Sequence, residues 1–169
     1  MPITTLRLLL LLLAPVLLHA QSSRAGVRLG EVEFRAIWTA PGSNAEAPLA
    51  AQLATAKGMW PFGGGRGAMF ATTGPSLIGG RRVATGVYTL ALEQRGDTTL
   101  LLVRPARATG APRPGAIVRV PLDLATVDSA QATPILDLAF LRSPTRVQEA
   151  VLEIRWGRQR LTTTVGGSQ

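Results

Sequence analysis

Cysteine is absent from this 169-residue chain, and its single histidine, His19, lies within the first twenty residues. Those residues read as a cleavable export signal, so the mature chain has neither a thiol nor an imidazole. That excludes a histidine-activated nucleophile, a disulfide framework and a Cys/His metal site. No G-x-S-x-G elbow and no S-x-x-K pair takes their place. No cofactor and no bound metal are expected. Carboxylates are the only acid–base route left.

The signal has its parts in order. Arg7 supplies the positive start, and Leu8 to Leu13 form an unbroken apolar run extended by Ala14, Val16, Leu17 and Leu18. Ala20 before Gln21 marks the cleavage point. Pro15 interrupts the run, which falls short of the ~20 residues of a spanning helix. The mature chain is expected to begin at Gln21, to reach the periplasm or the extracellular space, and to keep no transmembrane segment. Residues 21–169 then make one domain, with an ordered core over about 27–165. A chain of that size buries roughly 68–70% of its unfolded surface. Packing alone therefore holds it together, as is ordinary for a bacterial exported domain without disulfides.

Lysine is nearly missing too: Lys57 is the only one. Without Arg7 the chain carries seventeen Lys+Arg against ten Asp+Glu, about +7. Arginine suits bidentate recognition of phosphate or carboxylate, which admits a weak polyanion binder as one reading. The arginines are scattered, however, and dense only at Arg81–Arg82, Arg104–Arg113 and Arg155–Arg160. No aromatic is interleaved with them, so nucleic acid is not an expected partner. An envelope component or a small ligand is.

Period-2 alternation dominates after Gly30. Val32, Phe34, Ala36 and Trp38 share a face, as do Tyr88, Leu90 and Leu92, then Leu101 and Val103. Val118, Val120, Leu122 and Leu124 follow, then Leu136, Leu138 and Phe140. Ala150, Leu152, Ile154 and Trp156 come next, and Leu161, Thr163 and Val165 close the series. Gly79-Gly80, Gly96-Asp97 and Gly157-Arg158 mark tight turns. The fold class is all-β: an antiparallel β-sandwich of about eight strands. Its expected core contains Phe34, Trp38, Tyr88, Leu90, Leu122, Leu138, Phe140, Leu152, Ile154 and Trp156. One short helix is expected within Asn44–Lys57, where Leu49 and Leu53 stand four apart and Gly58 follows. Pro105–Gly115 reads as a mobile, low-complexity loop, and Gly166–Gln169 as a frayed tail.

Two groups of residues invite a chemical reading. Trp60, Phe62 and Arg66 flank the glycine run Gly63-Gly64-Gly65, which combines stacking faces, a cation and backbone freedom as in a ligand-binding loop. The same rings would equally plug one open end of a sandwich. No Gly-Lys-Ser/Thr follows, so the segment is not a phosphate-binding P-loop. The second group is Asp123, Asp128 and Asp137. Held roughly 5–9.5 Å apart, such acids hydrolyse glycosides, which leaves open a carboxylate-dependent hydrolase of cell-envelope glycans. The strand-face acids lie beside Arg119 and Arg142, so surface ion pairs are the expected explanation.

The run Leu77-Ile78-Gly79-Gly80-Arg81-Arg82-Val83-Ala84-Thr85-Gly86-Val87-Tyr88-Thr89-Leu90 resembles the bacterial domain of unknown function 2911 family and its I-G-G-K-x-L-x-A-G-x-Y-x-L segment. Trp60-Pro61-Phe62-Gly63 stands where that family has a Pro-Tyr-Gly stretch, and Arg66-Gly67-Ala68 is similar to its R-T-G-A. The closing Ala150–Trp156 and Leu161–Val165 strands are similar to its final hairpin. The family's Asn-Glu-Ala-Thr is replaced here by Met69-Phe70-Ala71-Thr72. The resemblance implies an exported, sandwich-like fold and assigns no activity. Taken together, the residues point to an exported domain that is non-catalytic, with a binding or structural role.

Overall fold

The computed structural model describes residues 22–39, 49–55, 59–61, 67–111 and 113–168. The export signal, Phe62 and Arg66 lie outside the described residues, as do both flanks of the expected helix. The strands are β1 (Ser22–Leu29), β2 (Val32–Thr39), β3 (Met59–Pro61), β4 (Ala68–Thr72), β5 (Ser76–Ile78) and β6 (Arg81–Val83). They continue with β7 (Gly86–Arg95), β8 (Thr98–Ala106), β9 (Val118–Pro121) and β10 (Asp123–Thr126). β11 (Thr133–Arg142), β12 (Glu149–Gly157) and β13 (Gln159–Gly167) complete them, and helix α1 spans Leu49–Thr55.

Two antiparallel sheets result. The seven-stranded one runs β1-β2-β4-β7-β8-β9, with β3 also on β7; the six-stranded one runs β11-β12-β13-β5-β6, with β10 also on β13. Alternation decides which face of each strand is buried, because successive side chains point to opposite sides. The inward faces meet in one core. Phe34 lies 6.0 Å from Phe70 and 6.4 Å from Phe140, so the aromatic contact spans both sheets. Each large buried side chain contributes roughly 1.5–3 kcal/mol. Of the ten expected core residues nine are buried, and Phe140 is half-buried against the rest. In the helix Leu49 and Leu53 are both buried, as their four-residue spacing requires.

The turns follow their glycines. Gly79 (φ 52°) and Gly80 (φ 73°) form the two-residue loop between Ile78 and Arg81, a left-handed pair that fits the primed hairpin turns. A Cβ on Gly79 would stand 2.3 Å from Val120 Cγ1, so that glycine is also required by packing. After the next turn, the Tyr88 hydroxyl donates to the Ala84 carbonyl at 2.7 Å, an arrangement like the tyrosine corner of immunoglobulin-type sandwiches.

Some expectations need correction. The described residues hold thirteen strands rather than about eight, because several are short pieces sharing one neighbour. Val118–Leu124 is not a single strand: β9 pairs with β8, and β10 pairs with β13 in the other sheet. The chain changes sheet at Pro121-Leu122, where Pro121 offers no amide and Leu122 N donates to Thr99 O at 3.0 Å. Leu124, expected inside, is 52% exposed. Gly166 and Gly167 of the expected frayed tail instead belong to β13, paired to Leu77 and Ser76, and Gln169 lies outside the described residues. β1 also begins earlier than the expected core.

Candidate functional site

The face of the seven-stranded sheet turned away from the core carries a hollow of about 830 Å³. Tyr88, Leu90 and Leu92 of β7 point into the core, so Thr89 and Ala91 point outward. Register places Arg104 of β8 directly beside Thr89. On the other edge of β7, Pro61 of β3 sits opposite Ala91 and Ala68 of β4 opposite Leu90. The two short strands thus share one neighbour and part between Pro61 and Gly67, both of which line the hollow.

The far wall is the Pro105–Ile117 segment. Rather than hanging free, it is tied by Arg107 N to Ala111 O (2.8 Å), Gly110 N to Arg107 O (2.8 Å) and Arg113 N to Pro105 O (3.0 Å). Two glycines make this fold-back possible. Gly115 (φ 152°) passes so close that a Cβ would stand 2.8 Å from Pro105 Cγ. Gly110 (φ 81°) brings the loop over β4, with Met69 Sδ 3.6 Å from where its Cβ would be. Proline is tolerated at 105 because β9 pairs only as far as Val103, which leaves that part of β8 on an edge.

Arg104 and Arg113 both line the hollow, and no carboxylate among the described residues does. Neither guanidinium has an ion-pair partner there, whereas other arginines do. Glu93, on the same outer face, is shared by Arg95 and Arg119 at 3.1 Å each. Burial pushes the Glu93 carboxyl up, but hydrogen bonds from Arg119 and Arg95 outweigh it and leave it below the ordinary carboxylate value. The Arg35 hydrogen bond likewise holds Glu33 low. Arg113 also lines a smaller groove of about 190 Å³ beside Tyr88. Burial raises the Tyr88 hydroxyl above its ordinary value, and the Arg113 charge opposes that rise.

The expected loop residues are only partly brought here. Trp60 faces the core side of β3 opposite Leu92, half-buried, with its ring edge-on to Trp156 at 5.1 Å. It therefore closes the sandwich and does not line the hollow. Phe62 and Arg66 lie outside the described residues. Sequence reasoning passed over Arg104, Arg113 and Thr89 individually; the signal available was the local arginine density over 104–113 and the outward phase of Thr89.

The acids do not converge. Asp137 binds Arg155 at 2.6 Å, not Arg119 or Arg142. Asp123 sits opposite Thr162 on β10. Two strands, β12 and β13, separate it from β11, so three strand spacings, about 14 Å, lie between the two backbones. That exceeds the 9.5 Å upper limit for paired glycosidase acids. Glu153, Arg155 and Arg160 fill the interval, with Arg160 3.1 Å and Arg155 3.4 Å from Glu153. Asp128 caps a short 3-10 turn at Ser129–Gln131, without a side-chain bond. Among the described residues no three His, Cys, Asp or Glu side chains gather as metal ligands, and no helix is long and apolar enough to cross a membrane. No protein-family model, no curated protein and no solved structure matches the chain.

Proposed function

We propose that this chain is an exported, non-catalytic binding domain, and that its site is the hollow on the outer face of the seven-stranded sheet. The observation that carries this reading is a hollow of about 830 Å³ whose wall is held in place by backbone hydrogen bonds and steric need for glycine. Ligand sites span ~300–1,000 Å³ and combine an apolar lining with a few fixed polar groups. Pro61, Ala91, Pro105 and Ile117 supply the first, and Thr89, Arg104 and Arg113 the second. A rigid sandwich presenting a loop-built site is a common arrangement for binding. Catalysis finds less support, since the described carboxylates are dispersed and five of the nine are paired with arginine.

A thermal-shift screen of small envelope-derived molecules tests the reading. The mature chain and Thr89→Trp, which fills the floor of the hollow, are melted with and without each compound. A compound that raises the midpoint of the mature chain and leaves Thr89→Trp unmoved supports the assignment. Equal shifts in both place the site elsewhere.

A further inference from the structure

We infer that the hollow accepts an anionic amphiphile, its phosphate or carboxylate head held between Arg104 and Arg113 and its apolar part lying over Ile117, Ala91 and Pro61. This rests on the hollow being the binding site and goes beyond it by naming the ligand's chemistry. Both cations rise from adjoining backbone. Arg104 immediately precedes Pro105, and the Pro105 carbonyl accepts the Arg113 amide at 3.0 Å. Two guanidiniums lining one hollow with no described carboxylate beside them make its wall positive, and a bound anion neutralises that charge. Guanidinium forks match the planar or tetrahedral oxygens of carboxylate and phosphate better than ammonium does. Thr89, register neighbour of Arg104, adds a hydroxyl donor at the same spot.

No described acid lines the hollow, and five of them are committed elsewhere. Glu33 pairs with Arg35, Glu93 with Arg95 and Arg119, Glu149 with Arg146, and Asp137 and Glu153 with Arg155 and Arg160. A purely hydrophilic anion would leave the rest of the lining in water. Ile117 is 38% exposed, and Pro61 and Pro114 are exposed beside it, so an apolar body has surface to cover. Among the described residues no aromatic lines the hollow to stack on a nucleobase.

The test uses the mature chain, isotope-labelled, with three soluble probes: octyl phosphate below its micelle concentration, inorganic phosphate and octyl glucoside. Titration is followed by amide shifts and calorimetry. The inference predicts that octyl phosphate shifts Thr89, Arg104 and Ile117, that its affinity falls at least tenfold in the Arg104→Gln/Arg113→Gln double variant, and that an Arg81→Gln/Arg82→Gln control, of equal charge change, leaves it intact. Inorganic phosphate is expected to bind at least tenfold more weakly than octyl phosphate. Equal binding of octyl phosphate by the double variant overturns the inference, as does the absence of binding to the mature chain. If octyl glucoside moves the same amides with equal affinity, the anion requirement is wrong while the hollow stands as a site. If no probe moves them, both are wrong. Vesicles containing phosphatidylglycerol separate the sources. Co-sedimentation lost in the double variant identifies a bilayer lipid, whereas monomer binding without co-sedimentation identifies a soluble amphiphile.

Discussion

The Trp38 indole nitrogen donates to the Leu136 carbonyl at 3.1 Å, a buried bond that runs from β2 of one sheet to β11 of the other. Removing the donor while keeping an aromatic ring leaves that carbonyl without its partner in the core. Trp38→Phe is expected to cost about 1–3 kcal/mol, and Trp38→Ala about 3–5 kcal/mol. Urea denaturation followed by far-UV circular dichroism measures both. Equal stability of Trp38→Phe and the parent would show that the bond contributes nothing.

Gly79 and Gly80 are adjacent and both left-handed, yet they differ in surroundings. A Cβ at Gly79 meets Val120 Cγ1 and Thr163 Oγ1, while at Gly80 nothing lies within 4 Å. Alanine at Gly80 should cost only the left-handed strain, about 1–2 kcal/mol. At Gly79 overpacking adds about 1–3 kcal/mol. Chemical denaturation of the two variants should rank them in that order, and the reverse order would contradict the packing described for the β5–β6 turn.

Tyr88 is the only tyrosine, so its ionisation is directly visible as tyrosinate absorbance. Burial raises its folded value above the ordinary ~10. The resulting stability is whole below the unfolded value and is lost as pH rises through the higher folded one. The midpoint should fall back on unfolding in denaturant. Because the Arg113 charge opposes the rise, Arg113→Ala should move the folded midpoint further up. A downward move would place Arg113 away from the hydroxyl.

Glu153 shows how a polar residue comes to be buried on an outward face. Its carboxylate is 5% exposed beneath Arg155 and Arg160, which are themselves partly in water. Glu153→Gln should cost about 1–3 kcal/mol, because two half-desolvated guanidiniums lose their counter-charge. Repeating the denaturation in high salt should shrink the difference. At the Arg35 and Arg95–Arg119 pairs, Glu33 and Glu93 are held low, so their contribution is present above the ordinary carboxylate value and fades as pH falls through the lower folded one.

Much of this fold was legible because it depends on phase. Leu152, Ile154 and Trp156 alternate with charged residues, and a two-residue period admits one inward face. The turns were legible because Gly79-Gly80 and Gly157-Arg158 have the backbone freedom that tight hairpins demand. The positions on which the family resemblance rests have fold reasons of the same kind: Gly79 avoids Val120, and Tyr88 closes a corner on Ala84. They therefore speak to architecture and not to role. Pairing partners were not legible. Nothing in Val118–Leu124 announces that its two halves join different sheets, since both halves keep an alternating pattern through Pro121. Gly166 and Gly167 carry no side-chain signal at all, and the approach of partner strands orders them, β5 at both and β12 at Gly166. The hollow was hidden for a related reason. It arises where a loop of glycine, proline and arginine folds back onto Thr89 and Arg104, and that return is fixed by backbone hydrogen bonds rather than by any residue pattern.

Export and binding make separate demands. If Ala20 precedes the cleavage point, the protein secreted from a bacterial host with its native start should begin at Gln21, which intact-mass measurement of the purified product reads directly. A product retaining Met1 in the cytoplasm would contradict the export expectation and leave the hollow untouched.

Hydrogen–deuterium exchange of the mature chain with and without octyl phosphate tests the central claim most directly. If the hollow is the site, the amides of Arg107–Gly110 and Arg113–Val118, together with Thr89, become more protected, and the remainder of both sheets exchanges as before. Protection confined to any other surface, such as the apolar groove between Leu49, Leu53 and Leu124, would contradict the assignment.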